Sequence, residues 1–265
     1  MVAGSDRKAP ENLTDETVQL YHEQGFVHIP RVLSAGEVAT FRAASEELLD
    51  REGPEIWGAS AEQIQVHYVQ DTWCKHETLR GLAFHPGITG IARHLACRPL
   101  RLYASELLAK EPHNQMLPTV VHDDEAGLPL ANHSATLTAW VALVDVPVER
   151  GCLTYIPGSH RRPDADRQIR LGSFAEYREM ADIWPDYLWQ PRITVPVRAG
   201  DVIFHHFRTV HLAGANVSDQ RRLAHGLIYM DSGATYRPGV QDQHLAHMLP
   251  GQPLDGAKFP LIDVS

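Results

Sequence analysis

The residues of this sequence that could do chemistry are two histidines, one carboxylate and one arginine. His122 and Asp124 lie in the run Thr119-Val120-Val121-His122-Asp123-Asp124, His211 closes Phe207-Arg208-Thr209-Val210-His211, and Arg222 follows eleven residues later. Two imidazoles and a carboxylate suit Fe(II) and leave open positions on an octahedral ion. A 2-oxo acid can fill two of those positions and oxygen the third. Zinc accepts the same donors, so the ligand set alone does not exclude a hydrolase. A guanidinium grips a carboxylate with two parallel hydrogen bonds, which is what the distal end of an iron-chelating 2-oxoglutarate needs. On chemistry alone Arg221 is as good a candidate for that grip as Arg222.

Position is what gives the pair weight. With 16 histidines and 33 acidic residues in 265 positions, a histidine two places before an acid is no rarer than chance. His122 and Asp124, however, follow an extended Val-Val pair, and on a strand residues i and i+2 share a face. Both would then grip one ion from one side, and Asp123 would point away. His211 also ends a strand-like run.

The rest of the chain must hold these groups together. Its length allows one large domain with a core or two small ones, and its net charge of -9 argues against nucleic acid or an anionic membrane as partner. The three cysteines, Cys74, Cys97 and Cys152, form no paired motif and read as reduced thiols. Residues 1-13 lack the apolar run of a signal peptide, and no stretch is apolar enough to span a membrane, so a cytoplasmic protein is expected. The sequence does not set an oligomeric state.

Residues 1-99 read as largely helical. Thr14 with Asp15 and Glu16 opens a helix that Gly25 stops, and Phe26-Ile29 alternates as a strand. Ser34 and Glu37 make a capping box for a helix to about Asp50. Residues 51-65 are mixed, and helices are expected at 75-84 and 87-96. From residue 100 to 232 short apolar runs separated by turns predict an antiparallel sandwich or barrel. The runs are 100-108, 119-122, 137-144, 152-156, 193-197, 202-207 and 223-229, with a hairpin turn at Glu149-Arg150-Gly151. Residues 161-192 form an insertion that either covers a site or is a helical surface excursion whose aromatics pack on the barrel, and 233-265 form a tail. The expectation is one domain over residues 1-265.

At this point the sequence resembles the phytanoyl-CoA dioxygenase family of Fe(II)/2-oxoglutarate oxygenases, over roughly residues 14-232. Four blocks carry the resemblance, in order: Leu107-Pro112; His122-Asp123-Asp124; Trp140-Leu143 through Gly151-Cys152-Leu153 to Pro157-Gly158-Ser159-His160; and Gly200-Asp201-Val202 through His211, Gly214, Asn216, Ser218 and Arg222. The resemblance implies a double-stranded β-helix, a cupin-like jelly roll flanked by helices. It implies His122, Asp124 and His211 as iron ligands, selects Arg222 over Arg221 for 2-oxoglutarate, and places Trp140 beside that cosubstrate. Halogenases of the superfamily lack the ligand carboxylate, and Asp124 therefore points to oxygenation. Tyr68, Glu106 and Ala213 depart from the family pattern around the cosubstrate.

The substrate is read from the aromatics. Trp57, Trp73, Trp184 and Tyr187 suggest an apolar, ring-containing small molecule, and no basic groove suits the phosphates of CoA; the arginines of 161-170 are balanced by acids. By analogy with bacterial relatives, natural-product tailoring is expected, by hydroxylation, oxidative cyclisation or epimerisation. The alternatives are a carrier-bound acyl hydroxylase, a zinc hydrolase and a non-catalytic binding barrel. Of the remaining histidines, His133 is a substrate-contact candidate, and His244 with His247 reads as a solvated pair rather than a second metal site. His205 and His206 lead toward His211, one of them facing inward as a structural histidine. Cys152 reads as a small buried hydrophobe.

Overall fold

The computed structural model describes residues 13–58, 63–132, 134–162, 188–238, 245 and 247–262. Helix α1 (Asp15–Gln24) begins where the Thr14 side chain accepts the Thr17 amide, with Asp15 and Glu16 in the first turn. It ends at Gly25, left-handed at φ 84°. A side chain at Gly25 would collide with His160 and Thr209. The same glycine thus stops the helix and lets the chain close against the loops around the site. Strand β1 (Phe26–Ile29) follows, then α2 (Ala35–Glu52), opened by the Ser34–Glu37 capping box.

The helix expected at 75-84 is two: α3 (Thr72–Lys75) and α4 (Glu77–Ala83). His76 separates them because it is extended, and its side chain accepts the Thr78 amide, capping the second helix. Helix α5 (Pro86–Ala96) starts on a proline, whose missing N–H costs nothing at that position. Its Ile88, Ile91 and Leu95 are 0%, 1% and 0% exposed. Burying such a side chain is worth about 1.5–3 kcal/mol, so this stripe pins the helix to the core.

The mixed region hides strand β2 (Glu55–Gly58) and the start of β3 (Ile64–Val69), and the two pair antiparallel. The remaining strands are β4 (Leu100–Lys110), β5 (Thr119–His122), β6 (Leu130–Ala131), β7 (Leu137–Ala142), β8 (Leu153–Tyr155), β9 (Ile193–Val195), β10 (Val202–His206), β11 (His211–Ala213), β12 (Arg222–Asp231) and β13 (Thr235–Tyr236). They form a seven-stranded sheet in the order β1-β10-β7-β12-β4-β3-β2, a four-stranded sheet in the order β5-β11-β8-β9, and a small pair, β13-β6. This is the two-sheet jelly roll expected from the sequence. Among the described residues no strand belongs to both large sheets, so the hydrogen bonding closes no barrel.

The expected hairpin at Glu149-Arg150-Gly151 is a correction. The segment is a 3-10 turn, Val148–Arg150, ended by Gly151 at φ 76°. It leads from β7 in the large sheet to β8 in the small one, and the two strands do not pair. Turn chemistry in a sequence marks a reversal, but it does not say whether the chain returns to the same sheet.

Strands β7 and β12 are buried along their whole length. One core cluster joins them to residues of α2, α4 and α5, including Leu48, Leu82 and Ile91. A second cluster lies under the C-terminal part: Phe207 and Met230 gather Leu245, Leu254 and Phe259. The chain end is tied back by the Ile262 amide donating to the Leu100 carbonyl. No described helix is long and apolar enough to cross a membrane. Most of the insertion, residues 163–187, lies outside the described residues, and with it Trp184 and Tyr187.

Candidate metal centre and active site

His122 is the last residue of β5 and His211 the first of β11, and the two are direct partners in the antiparallel register. The sheet therefore joins histidines that lie far apart in sequence, placing their ring centroids 4.2 Å apart. His211 opens its strand instead of ending one, because the chain leaves β10 at His206 and turns before β11 begins. Asp124 is not on the strand either. It opens a 3-10 turn, Asp124–Gly127, capped by Asp123, whose side chain accepts the Ala126 amide at 2.8 Å. A short acid that satisfies a nearby amide offers the backbone an alternative to extending the strand. The turn still delivers the Asp124 carboxylate: Oδ1 lies 4.0 Å from His122 Nε2 and 3.7 Å from His211 Nε2. One donor atom from each of the three residues falls within 4.8 Å of the others.

Asp123 points away, as expected, into a buried ion pair with Arg162 at 2.6 Å. Arg162 also reaches Glu125, which Arg208 holds at 3.1 Å. This network fixes the turn that carries Asp124. Burial pushes the Asp123 carboxyl up to about 6 against the pull of Arg162.

The protonation states suit a cation. His122 Nδ1 donates to the Val120 carbonyl at 2.8 Å, and His211 Nδ1 donates to the Thr209 carbonyl at 2.9 Å. A carbonyl only accepts, so each Nδ1 carries the proton and each Nε2 keeps a lone pair for the centre. Burial pushes both imidazoles below their ordinary value, His211 well below it, so they stay neutral. Burial works to raise the Asp124 carboxyl, but the hydrogen bond from His205 holds it below the usual carboxylate range.

Three residues that the sequence did not assign to the site hold Asp124 in place. Thr138 Oγ1 donates to Oδ2 at 2.6 Å, and His205 Nε2 donates to the same oxygen at 3.1 Å. With Nε2 carrying the proton, His205 Nδ1 accepts from the Tyr155 hydroxyl at 3.0 Å. Tyr155 in turn stacks on Phe26, with centroids 4.4 Å apart. Oδ2 is thus occupied by protein, and Oδ1 faces the two histidines. Of His205 and His206, His205 is the inward one, as alternation allows, and its work is positioning.

Arg222 opens β12 and is 2% exposed. Nη1 donates to the Gly151 carbonyl at 2.9 Å, the guanidinium lies over the Trp140 ring at 5.6 Å, and Nε has no hydrogen-bond partner. Burial lowers its pKa to about 10, which leaves it charged at neutral pH. A buried cation with an unused donor needs an anion. Arg221, in contrast, sits at the surface on Glu111, with its Nε 3.0 Å from each carboxylate oxygen. The unsatisfied donor thus fits the distal carboxylate of 2-oxoglutarate, and the Nε2/Nε2/carboxylate set fits Fe(II).

The three potential ligands, Trp140 and Arg222 line one cavity of about 950 Å³, counting the space at its mouth. Tyr68, Glu106 and Ala213 also line it, as does Trp57, which meets His122 edge-on at 5.2 Å. Trp73 does not. It is 8% exposed in the core beneath Arg80, so its place among the substrate aromatics is corrected. Cys152 is buried, and Cys74 and Cys97 are exposed free thiols. His133 and His244 lie outside the described residues.

Comparison with known proteins bears on what such a cavity is for. The family model "Phytanoyl-CoA dioxygenase (PhyH)" matches residues 21–224. The mouse protein "Phytanoyl-CoA dioxygenase domain-containing protein 1" is 29% identical over 167 residues, which is 60% of this chain and only 55% of the mouse protein. The chain thus matches about half the length of that curated relative. Among solved structures, the non-heme α-ketoglutarate-dependent carbocyclase SnoK from nogalamycin biosynthesis is 61% identical, with a TM-score of 0.90 over 97% of this chain and 99% of that one. The epimerase SnoN, in complex with Fe3+, α-ketoglutarate and nogalamycin RO, is 43% identical, with a TM-score of 0.81 over 94% of this chain and 98% of that one.

Proposed function

The chain belongs to the phytanoyl-CoA dioxygenase family of non-heme iron, 2-oxoglutarate-dependent oxygenases, and from that premise we propose that it oxidises an unactivated C–H bond of a small polycyclic metabolite in natural-product tailoring. Ring closure is the outcome we favour, because identity is 61% with the carbocyclase and 43% with the epimerase. The observation that carries the reading is the meeting, in one cavity, of the His122–Asp124–His211 set with a buried arginine that has an unused donor.

In this reading His122 and His211 present Nε2, and Asp124 presents Oδ1, to Fe(II). Thr138 and His205 hold Oδ2, so Oδ1 is the oxygen that would be offered to the ion. Arg222 takes the distal carboxylate of 2-oxoglutarate, with Trp140 against its guanidinium. Bound iron and 2-oxoglutarate supply the oxidising power: one oxygen atom of O2 ends in succinate as CO2 leaves, the other ends in water, and the substrate loses two hydrogens as its ring closes. The chain's own part is to orient the substrate and exclude water, so that the carbon partner rather than solvent completes the reaction. Leu108, Leu128, Leu153 and Ile228 give the cavity the apolar walls that this requires.

An acyl-CoA substrate is not favoured, because Arg222 is the one Lys or Arg among the described lining residues and in this reading would be taken by the cosubstrate. Zinc hydrolysis leaves the buried Arg222 of the same cavity without a purpose. The test is oxygen-dependent formation of succinate from 2-oxoglutarate by the Fe(II)-loaded protein, stimulated by a polycyclic substrate. Hydrolytic turnover that proceeds without oxygen and survives Arg222→Ala would overturn the reading.

A further inference from the structure

The cavity holds a second carboxylate that the proposed chemistry does not use. Glu106 lies on β4 opposite Gly226 of β12, and Gly226 lies opposite Trp140 of β7. The glycine leaves a gap in that row. A Cβ there would lie 3.6 Å from Leu108 Cδ1 and 3.9 Å from Glu106 Oε2, so the carboxylate borders the empty position beside a leucine. Among the described residues Glu106 makes no hydrogen bond and no ion pair, although it lines the cavity. Asp123, the other lining acid outside the proposed ligand set, is fully engaged by Arg162 and the Ala126 amide.

The surroundings of Glu106 are aromatic and anionic. Tyr68 of β3 stands opposite Leu108 of β4, two residues along from Glu106, and so shares its face of the sheet. Trp57 of β2 continues the same wall of the cavity. Tyr68 donates to Glu55 at 3.1 Å, which adds a negative charge at the edge of this wall. Burial, then the charges of Asp124, Asp71 and Glu55, push the Glu106 carboxyl up to about 7. Glu106 is half-buried at the cavity wall, where a carboxylate is poorly solvated, and nearby acids make its charge costlier. A cation placed beside it relieves that cost, and tryptophan and tyrosine rings add attraction through their faces. A neutral hydroxyl would leave the charge unbalanced.

We propose that Glu106 is a specificity-determining residue that selects substrates carrying a protonated amine, holding the ammonium group against the Trp57–Tyr68 wall. The assignment rests on the cavity being the substrate site, as proposed above. It gives that substrate a second attribute: a polycyclic body bearing a basic nitrogen close to the carbon that reacts. Trp57 meets His122 edge-on, so the amine site and the proposed metal site share a wall.

The test needs neither iron nor the natural substrate. Metal-free protein is titrated by calorimetry with 1-naphthylmethylamine and with its neutral match, 1-naphthalenemethanol. The wild type is expected to bind the amine about tenfold more tightly, the scale of one charge-assisted contact. Glu106→Gln is expected to abolish that preference by weakening the amine and leaving the alcohol unchanged, and Glu106→Met should do the same. Glu111→Gln, at a surface acid paired with Arg221, should keep it. Both Glu106 variants should unfold at or above the wild-type temperature, since each removes an unpaired carboxylate. Equal affinity for the two probes in the wild type, no binding of the amine, or a preference that survives in Glu106→Gln overturns the proposal. Because the protein is metal-free, these results stand apart from whether the iron and 2-oxoglutarate reading holds.

Discussion

His122 and His211 face each other across one pair of antiparallel strands, each with its Nδ1 bonded to the carbonyl two residues before it. The repetition matters: the same local device fixes the tautomer of both rings and turns both Nε2 atoms inward. The strand pairing sets the spacing and the carbonyls set the direction. Asp124 completes the set from outside the sheet, on a turn held by Asp123 and Arg162.

If His205 works by holding Asp124, its loss should show in metal affinity before it shows in anything else. His205→Leu removes the 3.1 Å bond to Oδ2 and strands the Tyr155 hydroxyl. Fe(II) affinity should fall about 10–100-fold, the usual effect of losing a partner behind a metal ligand. Calorimetric titration under anaerobic conditions measures it, and His205→Gln, which retains a donor, should recover part of the loss. Unchanged affinity in His205→Leu would make the residue merely structural.

The two neighbouring arginines should behave oppositely. Arg222→Ala should raise the 2-oxoglutarate concentration needed for half-saturation on the order of a hundredfold, since a buried, charge-assisted bidentate contact is lost. Arg222→Lys should recover little, because an ammonium cannot reproduce the fork. Arg221→Ala removes an exposed pair with Glu111 and should leave cosubstrate affinity within about twofold. Equal effects at the two positions would contradict the assignment.

Much of this site is legible in the sequence, and the illegible part has physical causes. His122, Asp124 and His211 stand out because their residue types are chemically specific, and the step to Arg222 is set by how far β11 lies from the start of β12. The supporting residues could not be read in the same way. Thr138 and Tyr155 are ordinary strand residues until the turn at Asp124 meets β7, and β8 of the small sheet meets β10 of the large one. His205 could be placed inside by alternation, but its partner could not be named. The run at 119-122 is a strand as read, yet Asp124 leaves it, because the Asp123 cap competes with extension. The strands β2 and β3 were missed where Gly53-Pro54 and Gly58 broke the pattern, and with them the cavity wall that carries Trp57 and Tyr68. Trp73 was misread because an aromatic of the core and an aromatic of a cavity look alike in one dimension.

Lys110 gives the site a measurable pH signature. It is 0% exposed, pairs in register with Arg222, and donates to the Leu117 carbonyl at 2.8 Å. Burial, then the Arg222 charge, lowers its pKa from 10.5 to about 6. Between those two values the unfolded chain holds a proton that the folded chain has lost, so this group makes stability rise with pH across that window. Lys110→Met removes the slope. Relative to wild type, the variant should be most favoured near pH 6 and lose that advantage steadily toward pH 10. Urea melts of the metal-free proteins across this range test it, and parallel stability curves would contradict it.

The central claim, that His122, Asp124, His211 and Arg222 together hold iron and 2-oxoglutarate, is tested most directly by titrating 2-oxoglutarate into the anaerobic Fe(II)-loaded protein and recording the visible charge-transfer band of the chelate. The band should appear and saturate at one equivalent per chain in the wild type, require far more cosubstrate in Arg222→Ala, and be absent in His211→Ala. A wild-type protein that binds Fe(II) but gives no band at saturating 2-oxoglutarate would contradict the account.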